Sequence, residues 1–150
     1  MPGSRVDTSV WLAAVCTTQP FHAQARQSLQ RATPAEPAVF CRSTQQSFLR
    51  LASTPTLLKA YGATGLTHRD ALIALGALMG LPQVCERDEP PGTFAVWQRI
   101  AARDTASPKV WMNAYLAAFA ISGGVRLASL DQGFRNFVPH GLDLDLLLDA

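Results

Sequence analysis

The chain has 150 residues, of which 48% are hydrophobic and 16% are charged, with a formal net charge of +2. This length and apolar content suffice for one hydrophobic core, so we expect residues 1–150 to fold as a single domain. The small net charge excludes a protein that coats DNA through charge alone. It leaves room for a local basic patch that binds RNA phosphates.

The amino-terminal and cysteine patterns indicate a cytoplasmic protein. The first residues, MPGSRVD, lack a secretory signal pattern because Asp7 interrupts any apolar stretch. No apolar run approaches the roughly 20 residues that a membrane-spanning helix needs. Cys16, Cys41 and Cys85 are odd in number and widely spaced, which fits neither a zinc site nor a disulfide framework. We therefore expect reduced thiols in the cytoplasm.

Short apolar segments alternate with amphipathic ones along the first half of the chain. The short segments are typical of buried strands, and the amphipathic segments are typical of helices. The predicted elements are a strand at 4–6, helices at 10–16 and 21–32, a strand at 38–41 and a helix at 42–53. Thr8 or Ser9 is the predicted cap of the first helix. Residues 55–66 are predicted to be irregular or weakly helical.

The second half continues the alternation and ends in an edge strand. The predicted elements are helices at 67–80, 93–103 and 107–122 and strands at 82–85, 125–130 and 142–148. Parallel strands that are separated by helices need crossover connections. The pattern therefore predicts a three-layer α/β fold, with a mostly parallel sheet of four to five strands flanked by helices.

Two acidic residues stand where predicted strands end, in the manner of metal ligands. Asp7 follows the first strand, and Asp131 follows the strand at 125–130. Sites in such sheets form beyond the carboxyl ends of strands, near the point where the strand order reverses. Asn113 lies near the start of the helix that leads into the second of these strands. We therefore expect Asp7, Asn113 and Asp131 to meet at one edge of the sheet.

Each of these three residues also has a purely structural interpretation. Asp7, which precedes two hydroxyl residues, can serve as a helix cap. Asp131 can be a turn residue, because the sequence DQG is a common exit from a strand. Asn113 can be an amide whose hydrogen bonds are satisfied in a cap or in the core.

The ordered segments resemble the PIN-domain endoribonucleases, in particular the VapC-type toxins of toxin–antitoxin modules. The resemblance is carried by VDTSVWLAAV, VFCRSTQQSFLRLAST, the EPPG loop and KVWMNAYLAAFAISGGVRLASLDQGFRNF, in this order. The last segment is the most specific. The resemblance implies a PIN fold, cleavage of RNA that depends on Mg²⁺ or Mn²⁺, a cognate antitoxin that blocks the cleft, and a homodimer.

The resemblance also assigns the acidic positions of the family to residues of this chain. The first and last acids fall on Asp7 and Asp131, whereas two acids carried on helices fall on Ser47 and Asn113. Ser129 stands where a hydroxyl residue precedes the last acid. Two acids are replaced, so two functions remain open. The first is an attenuated nuclease, and the second is a degenerate domain that binds an antitoxin or RNA without cutting.

An asparagine oxygen can ligate Mg²⁺ but brings no charge, so the two remaining acids are the minimum pair of ligands. Glu89, in the EPPG loop, and Asp104 are the candidates for a surrogate acid. Arg50 and Arg135 are the candidates for binding phosphate, and Arg50 is preferred because its segment lies next to the expected cleft. The alternative for both arginines is a solvated surface charge.

Overall fold

The computed structural model describes residues 3–64 and 66–148. Within these residues, five short strands form one sheet in which all strands are parallel. The strands are β1 (Ser4–Val6), β2 (Ala38–Phe40), β3 (Val84–Glu86), β4 (Arg126–Ser129) and β5 (Leu144–Leu146). Their order across the sheet is β3–β2–β1–β4–β5.

Helices connect the strands and cover the sheet. The helices are α1 (Thr8–Val15), α2 (His22–Arg31), α3 (Arg42–Ala52), α4 (Pro55–Ala60), α5 (His68–Met79), α6 (Thr93–Ala101) and α7 (Pro108–Gly123). A 3₁₀ helix over Gln132–His140 follows β4. No helix in the described part of the chain is long and apolar enough to cross a bilayer.

Two hydrophobic clusters occupy the two faces of the sheet. Helices α1 to α5 pack in one cluster, around the stacked rings of Trp11 and Phe40, whose centroids are 3.8 Å apart. Helices α6 and α7 and the 3₁₀ helix pack in the other. Ala128 of β4 lies in the first cluster and its neighbour Leu127 in the second, because successive strand residues point to opposite faces. The predicted three-layer architecture is confirmed.

The order of the strands places a crevice between β1 and β4. The chain runs from β1 through β2 to β3 on one side of the sheet, then crosses to β4 and β5 on the other. Open parallel sheets bind ligands beyond the carboxyl ends of the two strands where the direction reverses. Asp7 directly follows β1, and its backbone N–H donates to the Ala128 carbonyl of β4 at 2.9 Å. The crevice therefore opens beside Asp7.

Several elements start at other residues than predicted, and the starts of α1, β3 and β5 each differ by two residues. Helix α1 begins at Thr8, and its cap is Asp7 rather than Thr8 or Ser9, because the Asp7 carboxylate accepts the Thr8 N–H at 2.8 Å. Strand β3 begins at Val84, two residues later than predicted. Its first N–H still belongs to a turn, since it donates to the Leu81 carbonyl at 3.0 Å.

Candidate active site

Asp7 is held from three sides where β1 passes into α1. Its Oδ1 accepts the Thr8 N–H at 2.8 Å. Its Oδ2 accepts hydrogen bonds from the Ser9 hydroxyl at 2.8 Å and from the Ser129 hydroxyl at 2.9 Å. The residue is only 8% exposed. Asp7 is thus both a helix cap and a carboxylate fixed at the floor of the crevice.

The surroundings of Asp7 act on its charge in opposite directions. Burial raises the pKa of Asp7, because the ionised carboxylate loses its hydration. Hydrogen bonds from Ser9, Ser129 and Thr8 favour the ionised form and counter part of this effect, while the negative charge of Asp131 adds to it. The net result is a pKa above the ordinary value for an aspartate. A cation bound here would relieve this cost.

Asp131 faces a different environment at the exit from β4. Its Oδ1 accepts the Gly133 N–H at 2.8 Å, so the predicted turn at DQG is present. Its Oδ2 lies 3.3 Å from the Lys109 Nζ and 3.4 Å from the Asn113 Nδ2. Burial alone raises the pKa of Asp131. The bond from Gly133, the charge and bond of Lys109 and the bond from Asn113 outweigh burial, so the pKa is lowered.

Two serine hydroxyls join the ends of β1 and β4. The buried Ser129 hydroxyl donates to Asp7 and accepts the backbone N–H of Asp131 at 2.9 Å. The Ser9 hydroxyl also donates to Asp7 and accepts the backbone N–H of Leu130 at 3.3 Å. Each hydroxyl donates its proton to the Asp7 carboxylate and accepts a backbone N–H from the segment that follows β4. The two acids therefore have a fixed relative position.

Helix α7 brings two further side chains to Asp131. Lys109 and Asn113 are four residues apart, which places them on one face of the helix. Gly133 packs against the same group, since a Cβ at this position would lie 3.1 Å from Asp131 Oδ1 and 3.6 Å from Asn113 Nδ2. The glycine thus permits the close approach of the 3₁₀ helix to α7.

The candidate surrogate acids lie elsewhere. Glu89 accepts a hydrogen bond from the Tyr115 hydroxyl at 2.8 Å. Tyr115 is two residues past Asn113, which on an α-helix is about 200° around the axis. Asp104 is exposed in the loop between α6 and α7. Among the described residues, no three acidic, histidine or cysteine side chains are grouped closely enough to hold a metal ion.

Ser47 lies on the face of α3 that also carries Ser43 and Leu51. It is half-buried and stands one turn from both Ser43 and Leu51. The Ser43 hydroxyl contacts the Met112 sulfur of α7 at 3.3 Å, and Leu51 lines a pocket that also includes Asp131. Ser47 thus lies on α3 between a residue that contacts α7 and a residue that lines this pocket.

The two candidate arginines are placed differently from each other. Arg50 is exposed and lines a groove between α3 and α5 together with His68 and Leu72. Arg135 is exposed on the 3₁₀ helix, one turn past Asp131. Arg135 is therefore the nearer of the two to Asp131 along the chain.

Three contributors to the site were not predicted. The sequence pattern predicts Ser9 only as a helix cap, and it does not identify Lys109 or Gly133. The spacing of Lys109, four residues before Asn113, was a usable signal, because it places the two side chains on one helix face. The roles of Ser9 and Gly133 depend on the pairing of β1 with β4 and on the 3₁₀ helix, which no local pattern reveals.

The side chains present fit a hard divalent cation. Mg²⁺ and Mn²⁺ take oxygen ligands, and Mg²⁺ usually keeps several waters and binds one or two carboxylates. Asp7 and Asp131 supply two carboxylates, and Asn113 can supply an amide oxygen. Burial and the charge of Asp131 raise the pKa of Asp7. A bound cation would favour the ionised carboxylate and so oppose both effects.

Sequence comparison finds relatives over most of the chain. A model of the PIN domain matches residues 5–138. Over 142 residues, the chain is 41% identical to Ribonuclease VapC41 of Mycobacterium tuberculosis, in strains CDC 1551 / Oshkosh and ATCC 25618 / H37Rv. The match covers 94% of this chain and 96% of the relative.

Solved structures with the same fold include two VapBC complexes and one VapC toxin. VapBC2 of Rickettsia felis, bound to a DNA fragment from its promoter, has a TM-score of 0.67 at 9% identity, covering 95% of this chain and 97% of that one. VapBC-1 of nontypeable Haemophilus influenzae has a TM-score of 0.62 at 12% identity, covering 97% and 98%. VapC20 of M. tuberculosis, a toxin that cleaves the sarcin–ricin loop, has a TM-score of 0.60 at 18% identity, covering 93% and 96%. The structural likenesses show the fold, and the domain match with the 41% identity shows the family: this chain belongs to the PIN-domain family, among the VapC-type ribonucleases.

Proposed function

We propose that the chain is a metal-dependent endoribonuclease and the toxin of a VapBC-type toxin–antitoxin pair. One observation carries this proposal: the Ser129 hydroxyl joins Asp7 to the backbone of Asp131 at the point where the strand order reverses. The identity to a ribonuclease over nearly the whole chain supports the activity. The VapBC complexes among the similar structures support an antitoxin partner.

Mg²⁺ or Mn²⁺ bound at this site would supply a water of lowered pKa as nucleophile and would offset charge on the scissile phosphate. Asp7 and Asp131 would hold the ion through their carboxylates, and Asn113 through its amide oxygen. Ser129 fixes the orientation of the Asp7 carboxylate, and the Gly133 N–H fixes that of Asp131. The chain's own contribution is a rigid pair of anions at the floor of the crevice.

The rim of the crevice supplies the proposed contacts to RNA. We assign Ser47 on α3 and Arg135, four residues past Asp131 on the 3₁₀ helix, to the nucleotides next to the scissile bond. Arg50, in the groove between α3 and α5, is assigned to a phosphate farther along the strand. Arginine binds phosphate oxygens through several N–H donors, which suits both assignments.

The loss of acidic ligands sets the proposed level of activity. Divalent-ion affinity follows ligand charge, and this site has two carboxylates and an amide. We therefore propose an attenuated nuclease. The alternative, a domain that binds an antitoxin or RNA without cutting, is an outcome of the experiment below.

The proposed partners follow from the same pair of acids. The antitoxin places a basic side chain against Asp7 and Asp131, because a charge-assisted hydrogen bond is strongest there.

The toxin acts in the cytoplasm, where its RNA substrate is present. It forms a homodimer, which analytical ultracentrifugation of the purified chain tests directly.

An RNA cleavage assay with a matched pair of variants tests the activity. The chain is incubated with RNA in Mn²⁺, in Mg²⁺ and in EDTA, alongside Asp7→Asn and Asp88→Asn. Asp88 is an exposed acid in the loop after β3 and serves as the control. We expect cleavage that EDTA and Asp7→Asn abolish and that Asp88→Asn retains. Binding of RNA or antitoxin without any cleavage by the unaltered chain would establish the alternative.

A further inference from the structure

A lysine reaches from solvent onto the carboxylate oxygen of Asp131 that faces the crevice. Lys109 lies in the first turn of α7, and its Nζ is 3.3 Å from Asp131 Oδ2. The Lys109 side chain is 77% exposed, whereas that of Asp131 is only 27% exposed. An ammonium group thus occupies the entrance to an otherwise acidic site.

The other carboxylate oxygens have backbone or hydroxyl partners. Asp131 Oδ1 accepts the Gly133 N–H, and both oxygens of Asp7 accept hydrogen bonds from neighbouring groups. Asp131 Oδ2 differs, because its partners are the side chains of Lys109 and Asn113. A cation that enters the crevice meets Lys109 at this oxygen.

We infer that Lys109 alternates between two anions: it binds Asp131 when no divalent ion is present, and it binds a phosphate oxygen of the RNA when an ion is bound. The inference rests on the proposed nuclease function and adds a role to it. In the first state, Lys109 competes with the ion for Asp131. In the second state, it adds affinity for the substrate next to the reacting bond.

The chemistry of lysine permits this exchange. Its ammonium is a compact point charge on a flexible stem of four carbons, so it can leave one anion and reach another nearby. A divalent ion at the same carboxylate oxygen repels the ammonium, so the two cations compete for it. Phosphate groups are common lysine partners. The dipole of α7 has a smaller effect on Lys109. Lys109 lies at the amino-terminal end of the helix, where the dipole attracts anions and disfavours cations.

A lysine that only stabilises the fold would behave differently. An exposed ion pair of that kind contributes little, and its removal changes neither metal affinity nor the salt dependence of RNA binding. The two roles are therefore separated by measurements of binding rather than by loss of activity alone.

The test compares Lys109→Met with Lys59→Met. Lys59 is the only other lysine of the chain and is exposed on α4. Mn²⁺ is titrated in the absence of RNA, and the KM for RNA is then measured at saturating Mn²⁺ over a series of salt concentrations. We expect Lys109→Met to bind Mn²⁺ more tightly, by up to about fivefold, the range of an exposed ion pair. We also expect its KM to rise and the salt dependence of log KM to weaken by about one unit of slope.

Lys59→Met should match the unaltered chain in both measurements, and Lys109→Arg should retain the salt dependence because it keeps the charge. Unchanged Mn²⁺ affinity in Lys109→Met, or an unchanged salt slope, overturns the inference. If the unaltered chain binds Mn²⁺ and cleaves RNA while Lys109→Met is identical to it, only this inference is wrong. If the unaltered chain does neither, the proposed function is wrong, and this inference with it.

Discussion

Asp7 shows how one carboxylate serves both the fold and the site. Its Oδ1 caps α1 through the Thr8 N–H, and its Oδ2 accepts the two hydroxyls that join β1 to β4. The structural and the chemical interpretation of the residue are therefore compatible. An amide at this position keeps a capping oxygen but loses the charge, which makes Asp7→Asn the informative substitution.

We predict that Asp7→Asn stabilises the ion-free protein at neutral pH. The pKa of Asp7 is raised by burial, so the folded state favours the protonated carboxyl. That contribution to stability is present below the ordinary value of 3.8 and is lost as the pH rises through the folded pKa. The variant should thus melt at a higher temperature than the unaltered chain at pH 7 in EDTA, and the gain should shrink as the pH approaches 3.8.

Thermal melts from pH 4 to pH 8 measure this difference. The pKa of Asp131 is lowered, so its contribution to stability is lost as the pH falls, in the opposite direction to that of Asp7. Both proteins contain Asp131, so this contribution is common to the two melting curves. A gain in melting temperature that does not vary with pH would contradict the prediction.

Asn113→Asp should destabilise the ion-free protein, which is the reverse of the effect of Asp7→Asn. With a divalent ion present, it should strengthen ion binding and speed cleavage. The new carboxylate would face Asp131 Oδ2, from which the Asn113 amide nitrogen is 3.4 Å distant. Two like charges about 4 Å apart repel by about 1 kcal/mol in water, which corresponds to about 2–4 °C in a domain of this size. Lys109 offsets part of the repulsion. We expect a lower melting temperature in EDTA, tighter Mn²⁺ binding and faster RNA cleavage.

Melting in EDTA and in Mn²⁺, together with a cleavage assay, checks all three expectations. Asn136→Asp, an exposed position on the 3₁₀ helix, is the matched control for added negative charge. If Asn113→Asp changes neither the melting temperature nor its dependence on Mn²⁺, then Asn113 does not lie at the metal site.

The residues at the centre of the site could be predicted, and those around it could not. Asp7 and Asp131 stand at strand ends, where a parallel sheet gathers its ligands, so their position in the sequence was informative. Glu89 and Asp104 lie in loops, whose path no periodicity describes. The contact of Glu89 with Tyr115 depends on how α7 packs against the loop after β3, which no local pattern specifies.

At the scale of elements, local signals identified the helices better than the short strands. Thr67 caps α5 through the Asp70 N–H, and Pro108 opens α7, both as their residue types predict. Strand β3 has only three residues, so an error of two residues is most of its length. The 3₁₀ helix over Gln132–His140 is absent from the predicted elements. Its signal was the spacing of Phe134 and Phe137, both buried.

The junction between β4 and the 3₁₀ helix provides a test of positioning. Gly133→Ala would place a Cβ 3.1 Å from Asp131 Oδ1, so the carboxylate has to shift by a few tenths of an ångström. A shift of about 1 Å at a reacting centre can reduce a rate about 100-fold. We expect a folded variant with cleavage reduced by about tenfold.

The control for this substitution is Gly76→Ala in α5, where a Cβ meets no other atom within 4 Å. Alanine is the better helix former, so this variant should be more stable by about 0.5–1 kcal/mol, with unchanged cleavage. Cleavage at the full rate in Gly133→Ala would show that the position of Asp131 tolerates displacement.

At the scale of the whole molecule, the sheet order explains why the site lies between β1 and β4. These are the two strands at which the winding of the chain reverses, and helical layers cover the sheet on both faces. The alternation of strand and helix predicted this architecture. The order of the strands came from the structure, because local patterns do not specify which strands are neighbours.

Divalent ions should stabilise the whole domain if they bind where proposed. A ligand that binds only the folded state at 100 times its Kd adds about 2.7 kcal/mol, or about 5–10 °C in the melting temperature. We expect Mn²⁺ to raise the melting temperature of the unaltered chain by about this amount. Asp7→Asn should show little increase at the same Mn²⁺ concentration, and an equal increase in both proteins would place the ion elsewhere.

The distance along the chain between the two halves of the site has a consequence for protein synthesis. The hydrogen bond between Ser129 and Asp7 joins residues that are 122 positions apart. At about 5–20 residues per second, a ribosome needs about 6–24 seconds to travel from one to the other. During this interval the growing chain has its first carboxylate but not β4, so it has no assembled crevice. A nascent chain therefore lacks the assembled candidate site until β4 has been synthesised.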